Sequence, residues 1–172
     1  MYKSVETIFE KAYRDNTDAL FRFVMFRVSN KEQATDIVED TFVKFWQILQ
    51  KEKVAEPRAL LYRIARNLVI DWYRKSKSIP IPTFSSGEES TKGEIYLDMF
   101  AGNLVGAEME IEAKMMIDKI ASLEPIYKEA VYLRYVEELT PKEIAKVLGE
   151  STNVISVRIN RGVKLLKSKL HI

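Results

Sequence analysis

Arg63, Arg66, Asn67, Asp71 and Arg74 recur at helical spacing within the stretch Leu60–Lys75 and carry the chemistry needed to grip a nucleic acid. A guanidinium pairs well with phosphate, and an amide or carboxylate can read the edge of a base. At roughly 100° per residue these positions and Ile70 fall on one side of an amphipathic helix. Leu61, Ile64, Ala65, Leu68, Val69 and Trp72 fall on the other. An ordinary basic surface face would also fit, so this segment alone leaves two readings. Asn67 and Asp71 are the less ordinary members, because a carboxylate repels phosphate. They stand one helical turn apart and neighbour each other. The pair suits hydrogen bonding to a base edge exposed by unstacking. The alternative is that Asp71 pairs with Arg74 or Lys75, three and four residues on.

A second set of such residues lies near the C-terminus. Asn153, Ser156, Val157, Asn160, Arg161, Lys164 and Lys167 cover one side of a helix running from about Ser151 to Leu170. Ile155, Ile159, Val163, Leu166 and Leu170 cover the other. Small polar groups early and basic groups later suit a helix that enters the major groove N-terminus first. Asn153, Ser156 and Asn160 would face bases, and the phosphate contacts would come from among Arg158, Arg161, Lys164, Lys167 and Lys169. Upstream, Thr140, Pro141 and Glu143 form a helix start with a capping box, and Gly149 suits a left-handed stop. Helix, tight glycine turn and longer basic helix are the sequence form of a helix-turn-helix. A basic amphipathic terminal helix of another kind would look similar. Gly162 inside it should cost about 1 kcal/mol relative to Ala, and close packing on a neighbouring helix is one reason to retain it.

A third face is acidic. Asp36, Glu39, Asp40, Val43 and Gln47 project from the outer side of the Lys31–Gln50 helix. From the residues alone this is a solvated face as readily as an interface. Enzyme chemistry finds little support: the single histidine, His171, stands next to the last residue, there is no cysteine, and no Gly-rich phosphate loop follows a strand. No catalytic residue, cofactor or metal site is expected.

The elements that must position these faces are all helical. Val5–Ser29 reads as one or two helices with Phe9, Tyr13, Leu20, Phe23 and Val24 inward. In Lys31–Gln50 the inward positions are Ala34, Ile37, Val38, Thr41, Phe42, Phe45, Ile48 and Leu49. A polar connection, 51–57, leads to the helix ending near Lys75. Periodicity fails from Ser76 to about Gly106, where proline, glycine and serine accumulate around an apolar island, Ile95–Phe100. Helices resume at Glu108–Ala121 and Pro125–Glu137. The expected fold is all-α, with two small helical domains at 1–76 and 107–172 and a flexible linker at 77–106.

The totals agree. The chain has 172 residues, 47% of them hydrophobic, which is enough for real cores. Its net charge of +2 hides opposite local signs: 151–172 holds five lysines and arginines and no acid, while 76–110 holds two lysines against six acids. Such asymmetry fits a protein that meets nucleic acid with selected faces. No apolar run approaches the roughly 20 residues needed to cross a bilayer, and the start lacks an apolar h-region, so membrane insertion is not expected and the cytoplasm is.

Asp36-Ile-Val-Glu-Asp-Thr-Phe-Val-Lys-Phe-Trp46, followed by Leu61-Tyr-Arg-Ile-Ala-Arg-Asn-Leu-Val-Ile-Asp-Trp-Tyr-Arg74, resembles region two of extracytoplasmic-function sigma factors. Leu123-Glu-Pro-Ile-Tyr-Lys-Glu-Ala, Leu133-Arg-Tyr and Glu143-Ile-Ala-Lys-Val-Leu-Gly149 resemble their region four. The resemblance covers nearly the whole chain outside the linker. It implies a transcription initiation factor that binds RNA polymerase core, recognises a two-part promoter and helps melt it. By that pattern Asp36, Glu39 and Asp40 would contact the polymerase clamp. Arg63, Asn67, Asp71 and Arg74 would lie on the minus-ten strand, and the 51–57 loop would help hold an extruded base. The last helix would read the minus-35 element. An anti-sigma factor is a further partner the resemblance admits. Many family members carry Gln-Glu in place of Glu39-Asp40, and Gly-Thr-Val-Lys in place of Asn153-Val-Ile-Ser156. The minus-35 sequence therefore does not carry over. The rival reading is a helix-turn-helix regulator that does not bind polymerase core.

Overall fold

The computed structural model describes residues 4–75 and 107–170. The 77–106 linker, the Ile95–Phe100 island and His171 lie outside the described residues. All regular structure among the described residues is helical: α1 (Val5–Val28), α2 (Lys31–Leu49), α3 (Pro57–Lys75), α4 (Ala107–Ala121), α5 (Pro125–Tyr135), α6 (Pro141–Leu148) and α7 (Thr152–Leu170). They belong to two compact units. The first holds α1 to α3; the second holds α4, α5, α7 and the start of α6.

In the first unit, capping residues set the helix starts. Ser4 accepts a hydrogen bond from the Thr7 amide, and Asn30 accepts one from the Gln33 amide at 3.0 Å. Val5–Val28 is a single helix that ends at Ser29, a left-handed residue with φ 52°. The α2 stripe buries Ala34, Ile37, Val38, Thr41, Phe42, Phe45 and Leu49, with Ile48 half-buried beside them. These pack against Leu20, Phe23 and Val24 of α1 and Leu61, Ile64, Ala65 and Val69 of α3, since each pair of these helices is in contact. Each large apolar side chain so buried contributes about 1.5–3 kcal/mol. Thr41 satisfies its buried hydroxyl by donating to the Ile37 carbonyl at 2.7 Å. Tyr13 corrects the expected core: it is 49% exposed, its ring lying 4.7 Å from that of Phe42 and covering the rim.

Two buried residues that the periodicity did not single out tie α3 to α1. The Tyr73 hydroxyl donates to the Arg27 carbonyl, one of the orphan carbonyls at the end of α1. The Arg27 guanidinium donates back to the Phe23 carbonyl at 2.9 Å and lies 3.5 Å from the centroid of the Phe23 ring. Burial pushes the Tyr73 phenol above its ordinary pKa, and the nearby Arg27 charge opposes that rise.

In the second unit the Thr140–Glu143 capping box forms as expected. The Glu143 amide donates to Thr140 Oγ1 at 3.3 Å and the Thr140 amide donates to Glu143 Oε2 at 2.8 Å. Gly149, at φ 69°, ends α6 in the left-handed region. α5 stops at Tyr135, two residues short of the expected Glu137. The reason is local: Glu138 takes a left-handed φ of 54° and Glu137 folds inward, where Tyr132 donates to its Oε1 at 3.0 Å. Gly162 has the reason its cost demanded. A Cβ there would lie 2.5 Å from Val131 Cγ2 and 3.3 Å from Tyr127 Cβ, so α7 crosses α5 at a distance that only glycine permits.

Candidate functional site

On α3, Arg63, Asn67, Asp71 and Arg74 are all exposed, with Arg66 and Ile70 half-buried among them. Leu61, Ile64, Ala65 and Val69 are buried on the reverse, and Leu68 and Trp72 are half-buried at its edges. The packing of α1 and α2 against the apolar stripe is what turns the polar set outward. Asp71 Oδ1 lies 3.9 Å from Arg74 Nη1, and both side chains are more than half exposed. A pair that long and that wet is worth about 0–1 kcal/mol and leaves the carboxylate open to another donor.

Beside this face runs a groove of about 330 Å³. Its lining brings Lys44, Gln47 and Ile48 of α2 and Lys51 of the following turn against Ile64, Asn67, Leu68 and Asp71 of α3. Ile48, Ile64 and Leu68 give it an apolar floor; amide, carboxylate and ammonium groups rim it. It suits a flat ring that stacks on the floor and offers its hydrogen-bonding edge to Asn67, Asp71 and Gln47. Lys44 and Lys51 supply charge for an attached phosphate. The sequence marked Asn67 and Asp71 but not Lys44, and it placed Gln47 with the acidic face. Only the packing of α2 on α3 brings the four together.

Asp36, Glu39 and Asp40 are exposed on the outer side of α2, and none has an ion pair among the described residues. Val43 continues the same line and is 54% exposed, an apolar residue at the end of an acidic face. Carboxylates around an exposed valine can meet a basic surface that offers an apolar contact of its own.

On α7, Asn153, Asn160, Arg161, Lys164 and Lys167 are exposed, opposite the buried Ile155, Ile159 and Leu166. Ser156 is half-buried and donates its hydroxyl to the Thr152 carbonyl at 3.0 Å. The five basic residues of this segment do not form one set. Lys169 donates to the Ser122 carbonyl at 3.0 Å and to Ser122 Oγ at 2.9 Å. Arg158 Nη2 lies 2.7 Å from Glu150 Oε1, in the turn before α7. Arg161, Lys164 and Lys167 are left on the outer face with the two asparagines.

Among the described residues, no group of His, Cys, Asp and Glu is arranged to hold a metal ion, and no helix is long and apolar enough to cross a membrane.

Comparison with known proteins agrees with this geometry. Sigma-70 region 2 matches residues 12–79, which take in most of α1 and all of α2 and α3. Sigma-70 region 4 matches residues 113–166, from within α4 to within α7. The RNA polymerase sigma factor SigV of Bacillus subtilis is 27% identical over 159 residues, covering 91% of this chain and 87% of its own. The ECF RNA polymerase sigma factor SigW of the same organism is 25% identical over 158 residues, covering 89% and 83%. Among solved structures, the sigma factor RpoE of Bartonella quintana, crystallised with the anti-sigma factor NepR, superposes with a TM-score of 0.63 at 18% identity. That match covers 95% of this chain and 97% of the other, and it shows a shared fold. With both sigma-70 regions present in order, one on each helical unit, the chain belongs to the extracytoplasmic-function group of the sigma-70 family of RNA polymerase sigma factors.

Proposed function

We propose that the three exposed faces divide the work of a promoter-directing subunit. The acidic face of α2, through Asp36, Glu39 and Asp40, docks on RNA polymerase core. The α3 face, through Arg63, Asn67, Asp71 and Arg74, follows the strand of the minus-ten element. The α7 face reads the minus-35 element, with Asn153, Ser156 and Asn160 toward bases and Arg161 and Lys164 toward phosphates. The working domains are 1–76 and 107–172, joined through 77–106, and the protein acts in the cytoplasm without a catalytic step of its own. An anti-sigma factor would act by covering one of these faces.

The observation that carries the reading is the groove between α2 and α3. Phosphate attraction needs only cations. An apolar floor edged by Asn67, Asp71 and Gln47 is suited to a base taken out of its stack. A helix-turn-helix regulator that ignores polymerase core has no use for it. The test is permanganate footprinting of the melted strand on a set of promoter variants. Asn67→Ala and Asp71→Ala should leave core binding nearly intact, reduce open-complex formation and relax preference at one or two downstream promoter positions. Normal melting with unchanged base preference in both variants would leave Asp71 as a surface ion pair and the groove without a role.

A further inference from the structure

Glu150 stands in the turn between α6 and α7, flanked by the left-handed Gly149 and by Ser151, whose Oγ accepts from the Val154 amide at 3.3 Å. Its own amide donates to the Ala145 carbonyl at 3.0 Å, so the turn fixes where its carboxylate stands. Arg158, eight residues on, brings Nη2 to 2.7 Å from that carboxylate. The Arg158 side chain is 23% exposed and that of Glu150 37%.

Around α7, Arg158 lies about 140° from Asn153, whereas Asn160, Arg161 and Lys164 lie within about 80° of it. Arg158 is thus on the flank of the helix rather than on the face turned toward bases. Flanking positions of a helix in the major groove are those that meet the backbone walls. A carboxylate and a phosphate compete for the same guanidinium fork, and the pair is partly exposed on both sides, so a phosphate can reach it.

We infer that Glu150 is a positioning residue that holds Arg158 back from the DNA backbone and so sets how tightly the helix-turn-helix grips DNA of any sequence. The inference rests on α7 being the recognition helix. Phosphate contacts add affinity to every sequence alike. Holding one cation back lowers the indiscriminate part of binding and leaves Asn153, Ser156 and Asn160 untouched. Specific and non-specific binding then weaken by the same factor, so the pair tunes the overall grip while the base-facing residues keep the sequence preference. The sequence counted Arg158 among its DNA contacts; the geometry makes it a restrained one.

The test is the salt dependence of binding of the full-length chain to a fluorescein-labelled duplex of arbitrary sequence, read by anisotropy. With Arg161, Lys164 and Lys167 engaged, log affinity should fall against log salt with a slope of about −2.7. Glu150→Gln should steepen it by about 0.9, which is a three- to four-fold greater loss of affinity between about 50 and 200 mM salt. Arg158→Gln should leave the wild-type slope, and the double variant should return to it. Glu150→Asp, which keeps the charge, should behave as wild type. An unchanged slope in Glu150→Gln, or a slope already shallower in Arg158→Gln, overturns the inference. So does a gain from Glu150→Gln that persists in the double variant, since that gain would be simple loss of a negative charge near DNA. Lys164→Gln reports on the recognition face by itself. If it fails to flatten the slope, the assignment of α7 falls and this inference with it; if it flattens the slope while Glu150→Gln does nothing, only this inference falls.

Discussion

Replacing Gly162 by alanine sets two known effects against each other. In an unhindered helix the change should stabilise by about 1 kcal/mol. Here the added Cβ would lie 2.5 Å from Val131 Cγ2, at least about 1 Å inside the favourable carbon–carbon separation, and 3.3 Å from Tyr127 Cβ as well. Val131 is 1% exposed and β-branched, with one strongly preferred helix rotamer, so it cannot swing aside. α7 must instead move away from α5, at a cost of about 1–3 kcal/mol for overpacking. The net expectation is a loss of about 0–2 kcal/mol. Gly162→Val should cost more, and Val131→Ala should partly rescue Gly162→Ala, with a coupling of about 0.5–3 kcal/mol. Urea unfolding followed by circular dichroism measures the change. Trp46 and Trp72 both lie in the first unit, so tryptophan fluorescence provides the control transition that must not move. A Gly162→Ala protein about 1 kcal/mol more stable than wild type would refute the close crossing of α5 and α7.

Three further outcomes follow from the other parts. Reversing the charge of Asp36 and Asp40 should weaken binding to polymerase core while circular dichroism stays unchanged, because both lie off the buried stripe; contacts of this kind cost about 2–5 kcal/mol where buried and much less at a rim. Unchanged core affinity in titrations returns the face to solvent. Ser156→Ala should change which upstream sequences bind in a selection experiment, whereas Lys164→Gln should weaken all of them alike; an unaltered profile for Ser156→Ala shows the wrong side of α7 facing the bases. Tyr73→Phe should destabilise the first unit by about 1–3 kcal/mol by removing a donor from the Arg27 carbonyl. Burial raises the folded-state pKa of Tyr73, so its contribution is full below about pH 10 and is lost as pH rises through the folded value. Denaturation at rising pH should show that loss in wild type and a smaller one in the phenylalanine variant.

The parts of this fold that local chemistry dictates were legible in the sequence. Seven of the eight inward positions named for α2 are buried, and the capping box and Gly149 bound α6 where the residue types placed them. Legibility ended where a contact depends on two elements at once. Tyr13 fits the apolar pattern of α1, but periodicity cannot tell a core residue from one that covers the rim. The end of α5 is a separate case: it is set locally, by the left-handed Glu138 and the Tyr132 bond to Glu137, but helical periodicity alone carries no sign of either. Arg27 and Tyr73 meet across 46 positions, beyond any helical period. The same limit applies to the site. Each polar face could be read singly, yet the groove that joins Gln47 and Lys44 to Asn67 and Asp71 exists only because α2 packs on α3. Counting charge made Arg158 and Lys169 equal to Lys164, whereas Glu150 and Ser122 set them apart. The acidic face of α2 was ambiguous from its residues, since exposure is common to solvated and docking surfaces. Family resemblance, rather than periodicity, pointed to its partner.

Run-off transcription with purified polymerase core, this chain and fragmented genomic DNA tests the central claim most directly. The account predicts discrete start sites that appear only when the chain is present. They should share two upstream elements, and Asn67→Ala should weaken them while core binding is retained. Start sites that are unchanged by adding the chain, or a chain that binds the upstream element yet never associates with core, would contradict it.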